Sequence, residues 1–159
     1  KRGALIDAKD GDDVNPERES AGTQFCFIQG KVWNDEELDG IEERINNTRR
    51  NWLYYVFQSR LKKQHPELAD EAHADELHMQ ASLLLEDTLA QLKPLVIPEE
   101  HRQVYRTVGG SPHLDGSVSI FGEVVEGFDI VEKISLVETD KNDRPLQDVI
   151  ILKTKVFQK

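Results

Sequence analysis

Residues 107 to 127 read TVGGSPHLDGSVSIFGEVVEG and combine a strand pattern with a high density of glycines. From Ser117 to Val125 polar and apolar side chains alternate, which predicts a half-buried strand with Val118, Ile120 and Val124 on one face. The glycines around this strand predict tight turns or places where another piece of backbone approaches closely. By itself, the pattern also fits a hairpin of any β-rich protein.

Two segments near the start of the chain predict further strands. Residues 23 to 28 read TQFCFI, a short and nearly continuous apolar run that is typical of a strand buried on both sides. Residues 4 to 8 read ALIDA and predict a second short strand, followed by a polar loop from Lys9 to Ser20.

The three segments, in this order, resemble the C-terminal part of cyclophilin-type peptidyl-prolyl isomerases. In that family a Leu-Asp-Gly loop precedes a strand that ends in Phe-Gly, and the same residues stand at 114–116 and 121–122 here. The family's Val-x-x-Gly-x-x-Val/Ile-Val segment is similar to residues 124–131. Its Asn/Ser-Gly-Ser-Gln-Phe-Phe-Ile strand is similar to residues 21–28, and its Gly-x-Leu-x-Met-Ala-Asn segment to residues 3–9. The resemblance covers residues 1–33 and 107–159.

Residues 34 to 106 have helical periodicity instead. Asn34, followed by three acidic residues that include Glu37, predicts a capped helix that runs to about Gln64. His65-Pro66 breaks it, and a second helix is expected from Glu67 to Gln91, with a third starting near Pro98. The second helix carries a predicted apolar stripe at Leu77, Ala81, Leu84, Leu85, Thr88 and Leu92.

The expected fold class is therefore α+β. We expect a partial cyclophilin-like antiparallel β-barrel, with strands from both ends of the chain, interrupted at residues 34–106 by a helical hairpin or three-helix subdomain. Residues 128–134 predict a short amphipathic helix, and Val149 to Leu152, extending toward Phe157, predicts a closing strand. The resemblance implies that the N-terminal half of the barrel, and the true N-terminus, lie upstream of Lys1.

The composition of the chain restricts the classes of partner that it is expected to bind. The 159 residues carry a net charge of −10, which repels phosphate backbones and argues against nucleic acid. The single cysteine, Cys26, cannot form an internal disulfide and is expected to be a small buried hydrophobe rather than a reactive thiol. The sequence leaves the compartment open between the cell envelope or periplasm and the cytoplasm.

Metal sites and anion sites have weak sequence support. Asp10, Asp12 and Asp13 lack the fixed register of a calcium loop, and the helical histidines lack a His-Glu-x-x-His pattern. The basic residues from Arg49 to Lys63 are typical of a solvated helix face, with an anion site as the less favoured alternative. We therefore expect no metal and no cofactor.

The resemblance also implies a peptide-binding groove. Its apolar slot would include Cys26, His113, Leu114 and Val118, while Gln24 and the backbone of Ala8, Lys9 and Asp10 would hold the peptide; Phe25 is expected to face the core. Cys26 replaces a usual aromatic, Val118 a frequent His or Tyr, and Lys9 an Asn. The departures at Cys26 and Val118 imply a wider and less polar slot.

The function implied is peptidyl-prolyl isomerisation, with proline-containing peptides or unfolded chains as partners. The family's Phe-His-Arg-Val segment, which supplies the catalytic arginine, is not among these residues, so we expect the chain by itself to be a weak or inactive isomerase. The alternative is a non-catalytic binding or chaperone-like module that uses the helices. Unpaired strand edges also predict self-association.

Overall fold

The computed structural model describes residues 1–157, and the chain divides into two compact units, Lys1–Glu123 and a second that begins at Val124. Within residues 1–157 the sheet consists of β1 (Ala4–Asp7), β2 (Phe25–Phe27) and β3 (Ile120–Glu123), antiparallel in the order β2-β1-β3. The helices of this part are α1 (Asp35–Gln64), α2 (Ala74–Gln91), α3 (Glu99–Thr107) and α4 (Phe128–Ser135). The expected α+β class is confirmed.

Strand pairing decides which side chains share a face of the sheet. Ile6 lies opposite Cys26 on β2 and opposite Ile120 on β3, with an irregularity in the β1–β3 register between Leu5 and Ile6. Since successive side chains of a strand point to opposite faces, Ala4 and Ile6 share one face while Leu5 and Asp7 share the other. Ala4, Ile6 and Ile28 form a buried cluster against which Leu114 and Val118 pack.

The start of α1 follows the sequence prediction closely. The Asn34 side chain accepts a hydrogen bond from the Glu37 backbone N–H at 2.8 Å, and the Glu37 carboxylate accepts one from the Asn34 N–H at 3.0 Å. This reciprocal capping box satisfies two backbone donors that the helix cannot satisfy internally. The predicted end is also confirmed, because α1 stops at Gln64 before His65-Pro66.

The second helix begins later than predicted. Short 3-10 turns occupy Pro66–Ala69 and Glu71–His73, and α2 starts only at Ala74. Asp70 between the turns has extended backbone (φ −76°, ψ 144°), which interrupts the helical hydrogen-bond ladder. Hydrophobic periodicity continues through this break, and that is why the sequence pattern placed the start at Glu67.

Buried apolar clusters join α1 to α2 and α1 to α3. Leu61 of α1 and Leu77 and Ala81 of α2 share one buried cluster with Leu68. A second cluster joins α1 to α3 and to the segment that precedes α3; its members are Leu38, Ile41, Ile45, Ile97 and Tyr105. The predicted stripe on α2 is only partly confirmed, because Leu84 is 41% exposed.

Three glycines lie where the two ends of the helical segment meet. Lys31 and Gly110 form an isolated antiparallel bridge, with N···O distances of 3.2 and 2.9 Å. The Trp33 indole N–H also donates to the Gly110 carbonyl at 2.9 Å. A Cβ built on Gly30 would lie 2.4 Å from the Gly110 backbone, and one on Gly109 would lie 2.6 Å from the Lys31 carbonyl oxygen. The predicted close approach of backbone is thus confirmed at Gly109 and Gly110.

The predicted burial of β2 is wrong. Cys26 is exposed rather than buried, and Phe25, expected to face the core, is 48% exposed. β2 pairs with β1 along one edge, and Phe25 and Phe27 instead contact each other edge to face, with ring centroids 5.5 Å apart. An apolar strand is buried only where another layer covers its faces.

Two further strand predictions need correction. The strand expected from Ser117 to Val125 is shorter, Ile120–Glu123, because a hydrogen-bonded turn occupies residues 114–117. The predicted closing strand from Val149 to Leu152 is not a strand, and Leu152 is 93% exposed. A β-branched run needs a partner edge for its backbone hydrogen bonds, and it has none among residues 1–157.

The second unit contains α4, which confirms the short amphipathic helix predicted there, and a turn closed by a bridge between Thr139 and Pro145. No helix among the described residues is both long and apolar enough to cross a membrane.

Asn46 provides a test of how α1 fixes the segment before α3. Its side chain accepts from the Leu95 N–H at 2.8 Å and donates to the Leu95 carbonyl at 2.9 Å. We expect Asn46→Ala to lower the free energy of unfolding by about 1–3 kcal/mol, since it leaves partly buried backbone groups without partners. Urea denaturation measures this loss. The matched control is Asn47→Ala, at an exposed position of the same helix, and equal effects of the two substitutions would contradict the assignment.

Candidate functional site

An open groove of about 650 Å³ lies on the Ala4–Ile6 face of the sheet. We call it the apolar groove. One wall comes from the sheet and its flanking residue Ile28, namely Ala4, Ile6, Ile28 and Ile120. The loop that carries Leu114 and Val118 forms a second wall, and the third comes from the helical segment, with Leu95, Val96, Ile97, Val104 and Tyr105. Its size lies within the usual range for ligand sites, about 300–1,000 Å³.

Tyr105 joins the helical wall to the loop wall. Its hydroxyl lies 2.7 Å from both carboxylate oxygens of Asp115. Burial of the ring, and then the hydrogen bond to the Asp115 carboxylate, raise the pKa of the Tyr105 hydroxyl well above its ordinary value. Tyr105 therefore stays protonated at neutral pH and donates to Asp115, the residue that directly follows Leu114.

His113 lies in the same loop with an unsatisfied ring nitrogen. Its Nδ1 is buried and has no hydrogen-bond partner among the described residues. Burial of the imidazole lowers the pKa of His113, Arg44 lowers it further, and Asp115 opposes them. His113 is therefore neutral at pH 7, and it is not among the residues that line the apolar groove.

The slot residues predicted from the resemblance fall into two places. Leu114 and Val118 lie together in the apolar groove, and Cys26 lies opposite Ile6, on the groove face of the sheet. Gln24 lines a different depression, together with Phe25 and Asp7. Since Asp7 and Ile6 point to opposite faces, that depression lies on the other side of the sheet.

The predicted backbone-binding segment lies at the end of β1. The Ala8 carbonyl accepts from the Ala21 N–H at 2.8 Å, while Asp10 is exposed. The Lys9 ammonium lies 3.0 Å from a carboxylate oxygen of Asp12, so this side chain is already occupied.

Arg18 organises the loop between β1 and β2. Its guanidinium donates to both oxygens of Asp12 at 2.9 Å and to the Gly116 carbonyl at 3.0 Å, and it lies 4.3 Å from the centre of the Trp52 ring. The bond to Gly116 ties this loop to the Leu-Asp-Gly loop, and the stacking ties it to α1. Sequence reasoning did not find this role, because none of these contacts leaves a local pattern.

Sequence reasoning also missed most of the helical wall. The sequence pattern of the third helix gave no sign that Val104 and Tyr105 line the same groove as Leu114. The described residues contain no group of three or more His, Cys, Asp or Glu side chains arranged to hold a metal ion. The groove can therefore remove an apolar ring from water, and the Asp115 carboxylate, held by Tyr105, is the charged group that lines it on the loop side.

Comparison with known proteins finds a family whose members resemble the part of the chain that forms the loop wall of the groove. Residues 98–156 match the family model described as cyclophilin type peptidyl-prolyl cis-trans isomerase/CLD. A peptidyl-prolyl cis-trans isomerase of Arabidopsis thaliana is 50% identical over 54 residues, which are 34% of this chain and 9% of that protein. No solved structure matches the chain.

Two fungal relatives match longer stretches. Peptidyl-prolyl cis-trans isomerase ppi1 of Schizosaccharomyces pombe is 34% identical over 84 residues, 53% of this chain and 50% of the relative. Peptidyl-prolyl cis-trans isomerase-like 1 of Emericella nidulans is 36% identical over 89 residues, 56% of this chain and 51% of the relative. The chain spans about half the length, or less, of these curated relatives.

The Asp12 cluster predicts a pH-dependent contribution to stability. Burial raises the pKa of the Asp12 carboxyl, but the hydrogen bonds and charges of Arg18 and Lys9 outweigh burial and hold that pKa below its ordinary value. Because the pKa of Asp12 is lower in the folded state than in the unfolded state, where it is about 4, the ionised carboxylate stabilises the fold at pH values above about 4. This stabilisation is lost as the pH falls through the folded-state pKa.

We therefore expect Asp12→Asn to lower the free energy of unfolding by about 1–2 kcal/mol at pH 7 and by much less at about pH 2. Urea denaturation at both pH values measures the difference. Asp13→Asn, at the exposed neighbouring position, serves as the control. A loss of the same size at both pH values would show that the charge of Asp12 is not what stabilises the loop.

Proposed function

From the premise that this chain carries a portion of a cyclophilin-type peptidyl-prolyl cis-trans isomerase domain, we propose that it binds proline-containing segments of peptides or unfolded proteins in the apolar groove. In a protein that also supplies the family's arginine segment, this binding accelerates rotation about the bond that precedes proline. The observation that carries the proposal is that Leu114 and Val118, inside the matched residues, line the apolar groove.

Such a groove has the properties that this reaction needs. Rotation about a peptide bond has a barrier of about 18–20 kcal/mol, because the nitrogen shares its lone pair with the carbonyl. An apolar slot that binds the ring, groups that hold the flanking backbone, and a donor aimed at the prolyl nitrogen favour the twisted state without acid, base or nucleophile. Leu114, Val118 and Ile6 supply apolar surface for the ring.

These residues contain no match to the family's arginine segment, so they offer no candidate for the donor that acts on the prolyl nitrogen. The arginines with the strongest contacts are held by acids: Arg18 by Asp12, Arg102 by Asp39 and Glu42. Neither Arg18 nor Arg102 is among the residues that line the groove. We propose that the chain as given binds proline peptides but catalyses weakly.

The architecture proposed for the whole protein follows the resemblance. Residues 1–33 and 107–159 contribute strands to a cyclophilin-like barrel, and residues 34–106 are inserted between them. The bridge between Lys31 and Gly110 supports this proposal, because it brings both ends of the helical segment to one point. In the described sheet β2 and β3 each have an unpaired edge, and such edges support self-association through strand pairing.

A chymotrypsin-coupled assay with a succinyl-Ala-Ala-Pro-Phe anilide tests the catalytic part. We expect the 159-residue chain to show low activity, and a longer chain that includes a Phe-His-Arg-Val segment to be more active by at least about tenfold, equivalent to about 1.4 kcal/mol in the barrier. An Arg→Ala substitution in that segment is the control and should remove the gain. Equal activity of the two chains would overturn the assignment of catalysis to the arginine.

The second candidate function is a chaperone-like binding module built on the helices. One observation favours it: Met79 and Leu83 of α2 are 57% and 58% exposed, and Leu84 beside them is 41% exposed. Met79 and Leu83 are four residues apart, so they lie on the same side of the helix. Exposed apolar side chains grouped in this way favour contact with other apolar chains.

Suppression of the aggregation of reduced insulin, followed by light scattering, tests this candidate. We expect the chain to delay aggregation and the double variant Met79→Ser, Leu83→Ser to lose most of the delay, because it removes the exposed apolar pair. The double variant Ala90→Ser, Gln91→Ser is the matched control, since both positions are exposed and uncharged on the same helix. Retention of the full effect by the first variant would eliminate the helix as the binding surface.

A further inference from the structure

We propose that the helical segment forms part of the peptide site: the surface from Leu95 to Tyr105 is the wall that contacts the side chains flanking the bound proline and so determines which sequences bind. This inference rests on the proposed function, because it assigns a specificity surface to the same groove. It gives the residues of the helical wall that line the groove, Leu95, Val96, Ile97, Val104 and Tyr105, a direct role in substrate choice.

Ile97 and Val104 line the same recess as Leu114 and Val118. A proline ring bound against Leu114 is flanked by one peptide residue on each side. Because an extended backbone advances about 3.3 Å per residue, the side chains of these flanking residues lie close to the ring. The surface within that reach that the sheet does not provide is the helical wall.

Two apolar side chains that line the groove are largely exposed: the exposed fraction of Val96 is 66% and that of Ile120 is 64%. Apolar side chains exposed in a recess lose contact with water when an apolar ligand enters, so they favour it. Polar groups are few at this wall, with His101 on its rim. The wall therefore favours apolar side chains, such as leucine, beside the proline.

A specificity surface must hold its shape, and side-chain contacts to α1 fix this wall. The Glu42 carboxylate accepts from the Ile97 N–H at 2.9 Å and from the Arg102 guanidinium at 2.6 Å. Asp39 accepts from the same guanidinium at 2.6 Å, and the two carboxylates raise the pKa of Arg102 beyond its ordinary value. These contacts anchor α3 and the residues before it to α1.

Tyr105 completes the wall by linking it to the proline slot. Its two 2.7 Å contacts to Asp115 hold the loop that carries Leu114 at a fixed distance from α3. Tyr105 is therefore a positioning residue: it sets the separation between the surface that receives the ring and the surface that receives the flanking side chains. A site whose walls are fixed before binding loses less conformational entropy when the peptide binds.

The test compares the affinity of two peptides by NMR titration of the isotope-labelled 159-residue chain: succinyl-Ala-Leu-Pro-Leu-amide and succinyl-Ala-Gly-Pro-Gly-amide. A third peptide, with alanine in place of the proline of the first, reports whether binding needs proline. We expect the leucine peptide to bind about tenfold more tightly than the glycine peptide, with shifts in the amides of residues 95–105.

Val104→Asp places a charge on the wall and should reduce the preference for leucine to less than about threefold, because an apolar side chain then meets a hydrated carboxylate. Gln103→Asp adds the same charge at the neighbouring, exposed position of α3 and should leave the preference unchanged. If circular dichroism shows that Val104→Asp is unfolded, Val104→Thr replaces it, with the same shape and one hydroxyl, and should halve the preference or reduce it further.

The outcomes separate the two proposals. Equal affinity for the proline peptide and its alanine counterpart would overturn the proposed function, and this inference with it. Binding that depends on proline but keeps the full preference for leucine in the Val104 variant would overturn the inference alone. Loss of the preference in the Val104 variant, with retention in Gln103→Asp, would establish the helical wall as the specificity surface.

Discussion

The backbone bridge between Lys31 and Gly110 is the constraint on which the rest of the first unit depends. Its two N···O contacts, at 3.2 and 2.9 Å, bring the beginning and the end of the helical segment to the same point. The approach is possible because Gly30 and Gly109 lack side chains where a Cβ would lie within 2.4 and 2.6 Å of the opposing backbone. Any larger residue there would force the two segments apart.

This constraint places the loop after α3 over the sheet. The chain leaves β2, runs through about 75 residues of mainly helical structure, and returns so that Leu114 and Val118 pack on Ala4, Ile6 and Ile28. Two further backbone contacts share the entropic cost of closing so long a connection: the Trp33 N–H donates to the Tyr105 carbonyl at 3.1 Å, and β1 pairs with β3. The groove thus results from a backbone pairing outside it, while its walls come from parts of the chain that are distant in sequence.

The sequence predicted what local chemistry determines. The capping box of Asn34 and Glu37 and the break at Pro66 depend only on neighbouring residues, and the structure confirms both. The burial of Cys26 and Phe25 depends on which layers cover the sheet, so the apolar pattern of β2 could not decide it. The strand expected at Val149 failed for a related reason, because strand formation needs a partner edge as well as β-branched residues.

The candidate site was predictable to the same extent. Leu114 and Val118 follow from the resemblance, and the structure brings them together in the apolar groove. The helical wall depends on contacts between distant residues, such as Tyr105 with Asp115 and Asn46 with Leu95, and their partners could not be read from either segment alone. The same holds for the charged residues. The composition shows an excess of acidic residues, but the ion pairs of Asp39 and Glu42 with Arg102 depend on the tertiary structure.

The central claim is that a proline ring binds between the sheet and the Leu-Asp-Gly loop. Isotope-filtered NMR of the labelled chain with an unlabelled Ala-Leu-Pro-Leu peptide measures it most directly, through nuclear Overhauser contacts from the prolyl ring protons. We expect contacts to the methyl groups of Ile6, Leu114 and Val118. Contacts to Met79 and Leu83 of α2 instead, or none to the groove at saturating peptide, would contradict the claim.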